Sequence, residues 1–115
     1  MVGGLISFYS CGSSTGPDRE IRVGLIAPLT NQGKGNSDFL GLLAAKMAVE
    51  QINEKGGLKV REGTVRVKLV VEDSQEQVDV ALISARNLIN KEKVVAIIGP
   101  YLSRNAIPVA AEAEK

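Results

Sequence analysis

Three short apolar runs, separated by longer stretches of helical periodicity, constrain what this chain can fold into. Ile21-Arg22-Val23-Gly24-Leu25-Ile26-Ala27 is rich in aliphatic residues and is closed by Pro28. Val65, Val67, Leu69 and Val71 alternate with Arg66, Lys68, Val70 and Glu72. Val94-Val95-Ala96-Ile97-Ile98 is apolar throughout and is closed by Gly99-Pro100. Between the first two runs, Leu42, Ala45, Val49 and Ile52 recur at helical spacing, and Lys46, Glu50 and Glu54 lie off that stripe. Gly56-Gly57 ends this helix, because glycine accepts the left-handed conformation needed there. Between the second and third runs, Val78, Ala81, Leu82, Ala85, Leu88 and Ile89 supply another buried face. Ser74-Gln75-Glu76-Gln77 fits the capping-box pattern and opens that helix. A last helix is expected within 103–115, with Pro108 in its first turn or marking a break.

Strands separated by helices of this length pair in parallel. The fold class expected is therefore α/β, a parallel sheet with flanking helices in the order βαβαβα. The alternating second run predicts an edge strand with one wet face. The first and third runs are then expected inside the sheet, the third apolar on both faces as a central parallel strand is. An apolar third strand left as an open edge is an aggregation liability, so the sequence is expected to be the first part of a larger protein.

The domain division expected is a leader and flexible linker over 1–20 and an incomplete lobe over 21–115. Residues 1–9 are apolar or small, and Lys and Arg are absent before Arg19. That stretch is too short to span a bilayer, which takes about 20 residues. The basic start of a secretory signal is missing. Cys11, the single cysteine, lies where the apolar stretch meets Gly12-Ser13-Ser14-Thr15-Gly16-Pro17. Ser10-Cys11 ahead of such a linker resembles the cleavage and lipidation site of a bacterial lipoprotein. The alternative is an incidental cysteine in a leader.

Composition removes several chemistries. With no His and one Cys, zinc sites built from these ligands and Ser–His or Cys–His nucleophile pairs are excluded. With Lys+Arg 14 against Asp+Glu 13, the net charge of +1 lacks the basic excess of a nucleic-acid surface. Aromatic residues make up only 3%, so stacking platforms for bases are scarce. The core must be built from Val, Ile, Leu and Ala.

In open α/β sheets, ligands bind beyond the carboxyl ends of the strands. Those ends here lie at 28–37, 72–74 and 99–105. The first loop holds Gly33-Lys34-Gly35, yet a P-loop needs glycine where Pro28 stands, and a dinucleotide fingerprint needs glycine where Asp38 stands. Glu72-Asp73 invites a metal or acid–base reading, but adjacent strand residues point to opposite faces, which favours solvated or helix-capping carboxylates. Gly99-Pro100-Tyr101-Leu102-Ser103-Arg104-Asn105 carries more information. A strand ends, the chain turns tightly, and a hydroxyl meets a helix N-terminus, where free N–H groups favour an anion. Ser103 is thus a candidate carboxylate ligand or a simple helix cap, and geometry from sequence alone does not choose between them.

Ile21-Arg22-Val23-Gly24-Leu25-Ile26-Ala27-Pro28-Leu29-Thr30 and Ala45-Lys46-Met47-Ala48-Val49-Glu50-Gln51-Ile52-Asn53-Glu54-Lys55-Gly56-Gly57 resemble the start of the leucine/isoleucine/valine-binding type of periplasmic solute-binding protein. Val70-Val71-Glu72-Asp73-Ser74 and Val95-Ala96-Ile97-Ile98-Gly99-Pro100 continue that resemblance in order. The resemblance runs from Ile21 to Lys115.

It implies two α/β lobes joined by a hinge, with an amino acid or related small polar ligand held between them and delivered to ABC permease subunits. It implies that Ser103 binds the ligand carboxylate, with main-chain help around Tyr101 and Leu102, and that the first loop contributes near Asn36 and Ser37. Leu102 stands where the family often has Ser, Ala44 where it often has Gly, and no aromatic residue precedes Phe39 in the first loop. The place implied is the periplasm or the outer face of the bacterial cytoplasmic membrane, with a lipid anchor at Cys11. No catalytic residue, cofactor, metal or nucleic acid is expected. A ligand-sensing receptor domain is the alternative reading, since related lobes are used for signalling. A hydrolase on a doubly wound sheet would need a reactive constellation that these residues do not supply.

Overall fold

The computed structural model describes residues 19–30 and 39–115. Chain order is β1 (Glu20–Ala27), α1 (Phe39–Glu54), β2 (Leu58–Val60), β3 (Gly63–Asp73), α2 (Val78–Arg86), a π-helical turn (Asn87–Lys91), β4 (Ala96–Ile98) and α3 (Ser103–Ala113). The strands form one sheet in the order β2-β3-β1-β4. β1 runs parallel to β3, with Val23 opposite Leu69, and parallel to β4, with Gly24 opposite Ile97. The expected parallel core with flanking helices is present, and all three expected strands lie in it.

Strand placement differs from expectation. The alternating run, expected at an edge, is β3 and lies between β2 and β1. β4, expected inside, pairs only with β1 among the described residues, and Ala96 and Ile98 are exposed. Alternation reports which face of a strand is covered, and it does not report how many neighbours the strand has. The missing neighbour was β2, three residues that pair antiparallel with the start of β3. Such a segment is too short to show a period.

β2 covers only Gly63–Val65 of that flank. Asn53 takes the next position. Its amide donates to the Val67 carbonyl at 2.8 Å and accepts the Val67 N–H at 2.9 Å. One side chain thereby extends the ladder and satisfies two backbone groups. Three residues on, α1 closes as expected at the glycine pair. Gly57 N–H reaches Ile52 O at 2.9 Å and Gly56 N–H reaches Asn53 O at 3.1 Å, the two bonds of a Schellman cap, with φ of 101° at Gly56.

The core lies between the sheet and α2/α3. Ile26, Ala81, Ala85, Leu88 and Val109 are buried there, with Val70, Val94 and Ile97 packed against them. The helical stripe read from the sequence is therefore right at Ala81, Ala85 and Leu88, while Val78 is exposed. The single helix expected across this region widens at Asn87 into the π turn, which carries Leu88 over β1. Gly24 makes the room: a Cβ there would lie 2.7 Å from Leu88 Cδ1.

Two helix starts also depart from expectation. Residues 74–77 do not form a capping box. The N-cap of α2 is Gln77, without a side-chain cap bond. Gln75 and Glu76 take positive φ of 49° and 58°, so Ser74 is separated from the helix by a turn closed by Gln77 N–H to Ser74 O at 2.8 Å. Pro108 lies beyond the first turn, and α3 runs through it without a break. The helix forgoes the bond that residue 108 would donate to the Arg104 carbonyl.

Arg86 ties α2 to α3 through Glu112, with Nε–Oε1 at 3.0 Å, and Lys115 reaches the other oxygen at 2.9 Å. Hydrogen bonds from Arg86 and Lys115 hold the Glu112 carboxyl down to about 2, against an ordinary value of 4.5. A depressed carboxylate stabilises above its unfolded value and stops doing so as pH falls through its folded one. The difference in urea midpoint between wild type and Glu112→Gln is therefore expected to shrink as pH drops from 4.5 toward 2. A difference that stays constant over that interval would show that the pair contributes no pH-dependent stability.

Candidate functional site

The carboxyl ends of β1, β3 and β4 meet at one end of the sheet. The end of β1 is knitted to the end of β3. The Ala27 carbonyl accepts Leu29 N–H at 3.0 Å and Ser74 N–H at 2.9 Å. Asp73 Oδ1 accepts the N–H groups of Leu29 at 2.9 Å, Thr30 at 3.3 Å and Gln75 at 2.9 Å, and the Thr30 hydroxyl donates to Oδ2. Burial pushes the Asp73 carboxyl up, but the bonds from Thr30, Gln75 and Leu29 outweigh it and hold the group below its ordinary value. Asp73 is thus a partly exposed carboxylate that ties strand ends and a turn together, and the helix that follows is capped at Gln77 instead. Among the described residues no three His, Cys, Asp or Glu side chains cluster as for a metal ion.

β4 ends against β1 with equal economy of space. Gly99 has φ of 88°, and a Cβ there would lie 2.3 Å from the Ile26 carbonyl oxygen. The Gly99–Pro100 peptide is cis. From that junction the chain passes through Tyr101, 74% exposed, and half-buried Leu102 into α3. Leu25, Ala27, Gly41, Ala45, Gly99 and Tyr101 border a recess of about 170 Å³ between the ends of β1 and β4 and helix α1.

Ser103 is the first residue of α3 and is exposed. The N-cap is Leu102, whose carbonyl accepts Asn105 N–H and Ala106 N–H at 2.9 Å each, and no side chain caps the helix. The simple capping role weighed for Ser103 is therefore absent. The N–H groups of Ser103 and Arg104 precede the first helical bonds and have no carbonyl within the helix to accept them. A hydroxyl, free N–H groups and the positive end of an eleven-residue helix coincide at the carboxyl end of the sheet. This arrangement suits a carboxylate.

Tyr101, Leu102 and Ser103 follow one another from the end of β4 into the first turn of α3. Asn36, Ser37 and Cys11 lie outside the described residues. Thr30 and Arg104 were not singled out from the sequence. Arg104 donates to the Glu76 carbonyl at 3.4 Å and so links the start of α3 to the turn after β3. A polar residue beyond a strand-ending proline was the only signal for Thr30. A larger groove of about 410 Å³ lies elsewhere, between β4 and α3, and is bordered by Val95, Ile97, Val109, Ala110 and Ala113. It offers no polar side chain to orient a ligand.

The family model for periplasmic binding proteins matches residues 20–115. The chain belongs to the periplasmic binding protein family. Among solved structures, it is similar to the branched-chain amino acid transporter substrate-binding protein of Streptococcus pneumoniae, solved in complex with isoleucine. The identity is 24% and the TM-score 0.73, over 84% of this chain and 26% of that one. It is also similar to a leucine-binding protein from Thermotoga maritima, at 26% identity and a TM-score of 0.60, over 82% of this chain and 25% of that one. An ABC transporter substrate-binding protein from Desulfitobacterium hafniense matches at 27% identity and a TM-score of 0.63, over 81% and 25% of the two chains. The chain spans about a quarter of the length of these family members. Within that span the α/β sheet with flanking helices matches the lobe of these structures.

Proposed function

We propose that this chain forms one wall of the ligand cleft of an extracytoplasmic solute-binding protein serving an ABC transporter. The ligand class is an amino acid, of branched-chain type, or a related small polar molecule. The observation that carries the reading is the exposed, uncapped start of α3 at Ser103, two residues beyond Tyr101, which borders the recess at the ends of β1 and β4. Family membership and the similarity to a leucine-binding protein support it. Ser103 Oγ and the adjacent main-chain N–H groups hold the carboxylate. Tyr101 and Leu102 shape the wall, and Asn36 and Ser37 contribute from the first loop. A second lobe supplies the opposite wall, and hinge closure produces the form that the permease subunits recognise. The residues ahead of β1 act as an export leader and linker, and Cys11 carries a lipid that keeps the protein at the outer face of the membrane. Among the described residues no helix is long and apolar enough to cross a membrane.

Calorimetry on the protein expressed from the complete gene tests this, with L-leucine, L-isoleucine and L-valine as probes. Wild type is expected to bind at least one of them one-to-one. Ser103→Ala is expected to lose roughly 1.5–3 kcal/mol of binding, the worth of a hydrogen bond to a charged group. Unchanged affinity in the variant would remove Ser103 from the site.

A further inference from the structure

We propose that Asp73 is the positioning residue of this ligand wall: its carboxylate joins the ends of β1 and β3 and the turn beside α3 into one unit, and so sets ligand affinity without touching the ligand. This rests on the receptor reading above. Two routes lead from Asp73 to the wall. The first runs through β1. Asp73 fixes Leu29 and Thr30, Leu29 N–H is shared with the Ala27 carbonyl, and Ala27 borders the recess. One residue earlier, the Ile26 carbonyl is the surface on which Gly99 rests, two positions before Tyr101.

The second route runs through the turn. Asp73 accepts the N–H of Gln75 and fixes a turn in which two non-glycine residues take left-handed backbone. That turn presents the Glu76 carbonyl to Arg104, the residue that follows Ser103. A carboxylate suits this post because every one of its four partners is a donor. An ionised Asp is acceptor-only, with about four lone-pair sites, whereas Asn would place N–H donors opposite the Thr30 hydroxyl.

The test is calorimetry with L-leucine, L-isoleucine and L-valine on the protein from the complete gene, at a temperature where circular dichroism shows each variant fully folded. Asp73→Ala is expected to weaken binding about tenfold or more, and Asp73→Asn less, since one acceptor oxygen survives. Thr30→Val, which deletes one donor at nearly constant shape, is expected to weaken binding about threefold, and Thr30→Ser to restore it. The Thr30 pair keeps the test open if Asp73→Ala does not fold. A purely structural Asp73 would lower the denaturation midpoint and leave the affinity of the folded protein unchanged. That result, with Ser103→Ala still weakening binding, would overturn the positioning role alone. If wild type binds none of the three probes, the branched-chain reading of the ligand fails and the positioning role argued from it fails too. If wild type binds and Ser103→Ala binds as wild type does, the start of α3 is not the ligand wall, and the positioning role fails while the receptor reading stands.

Discussion

Gly99→Ala is expected to cost about 3 kcal/mol or more of folding stability, read as a fall in the urea midpoint. Two effects add. The φ of 88° lies where side-chain-bearing residues are strained, and the new Cβ would sit 2.3 Å from the Ile26 carbonyl oxygen and 3.4 Å from its carbon. The obstructing atom is backbone in a core strand, so no rotamer change relieves the overlap. The end of β4 must instead move away from β1, taking Tyr101 and Ser103 with it. Gly41→Ala is the control. That glycine lies in α1 with nothing within 4 Å of its would-be Cβ, and alanine there is expected to be stabilising by about 0.5–1 kcal/mol. Equal midpoints for the two variants would show that the β1–β4 junction is not held by close backbone approach.

Leu88→Ala is expected to be comparably damaging, at about 3 kcal/mol, because Leu88 is fully buried among Ile26, Ala81, Ala85 and Val109. The contact with Gly24 makes the expectation sharper. In wild type, Gly24→Ala drives a methyl to within 2.7 Å of Leu88 Cδ1. When Leu88→Ala is already in place, the same methyl enters vacated space. The double variant is therefore expected to be more stable than the sum of the single effects predicts, with a coupling of about 1 kcal/mol. Additive costs would mean that the π turn does not seat Leu88 on β1 in the way described.

What was legible in the sequence followed from period and punctuation. β1, α1 and its glycine stop, β3 and the α2 stripe all carry a repeating pattern, and the helix stop rests on a backbone conformation that glycine supplies. β2 was hidden because three residues have no period, and its absence made β3 look like an edge. The π turn was hidden because one extra residue per turn leaves Leu88 and Ile89 apolar and changes only their direction. The capping box failed because Asp73, one residue earlier, draws the Gln75 N–H into a tighter turn. Ser103 could be placed at a helix start from sequence, while its freedom from capping depends on Leu102 taking extended backbone, φ −87° and ψ 131°. Asp73 was weighed for its charge, whereas its role comes from where the Leu29 and Thr30 N–H groups point. Asn53 was part of a recognisable block, and the structure gives the block its physical reason in the Val67 ladder bonds.

The most direct test is a crystal structure of the protein from the complete gene with L-isoleucine bound. The amino-acid carboxylate is predicted at the start of α3, with one oxygen about 2.7 Å from Ser103 Oγ. A carboxylate held by the opposite lobe, with Ser103 Oγ turned to its own helix, would contradict the assignment of this wall.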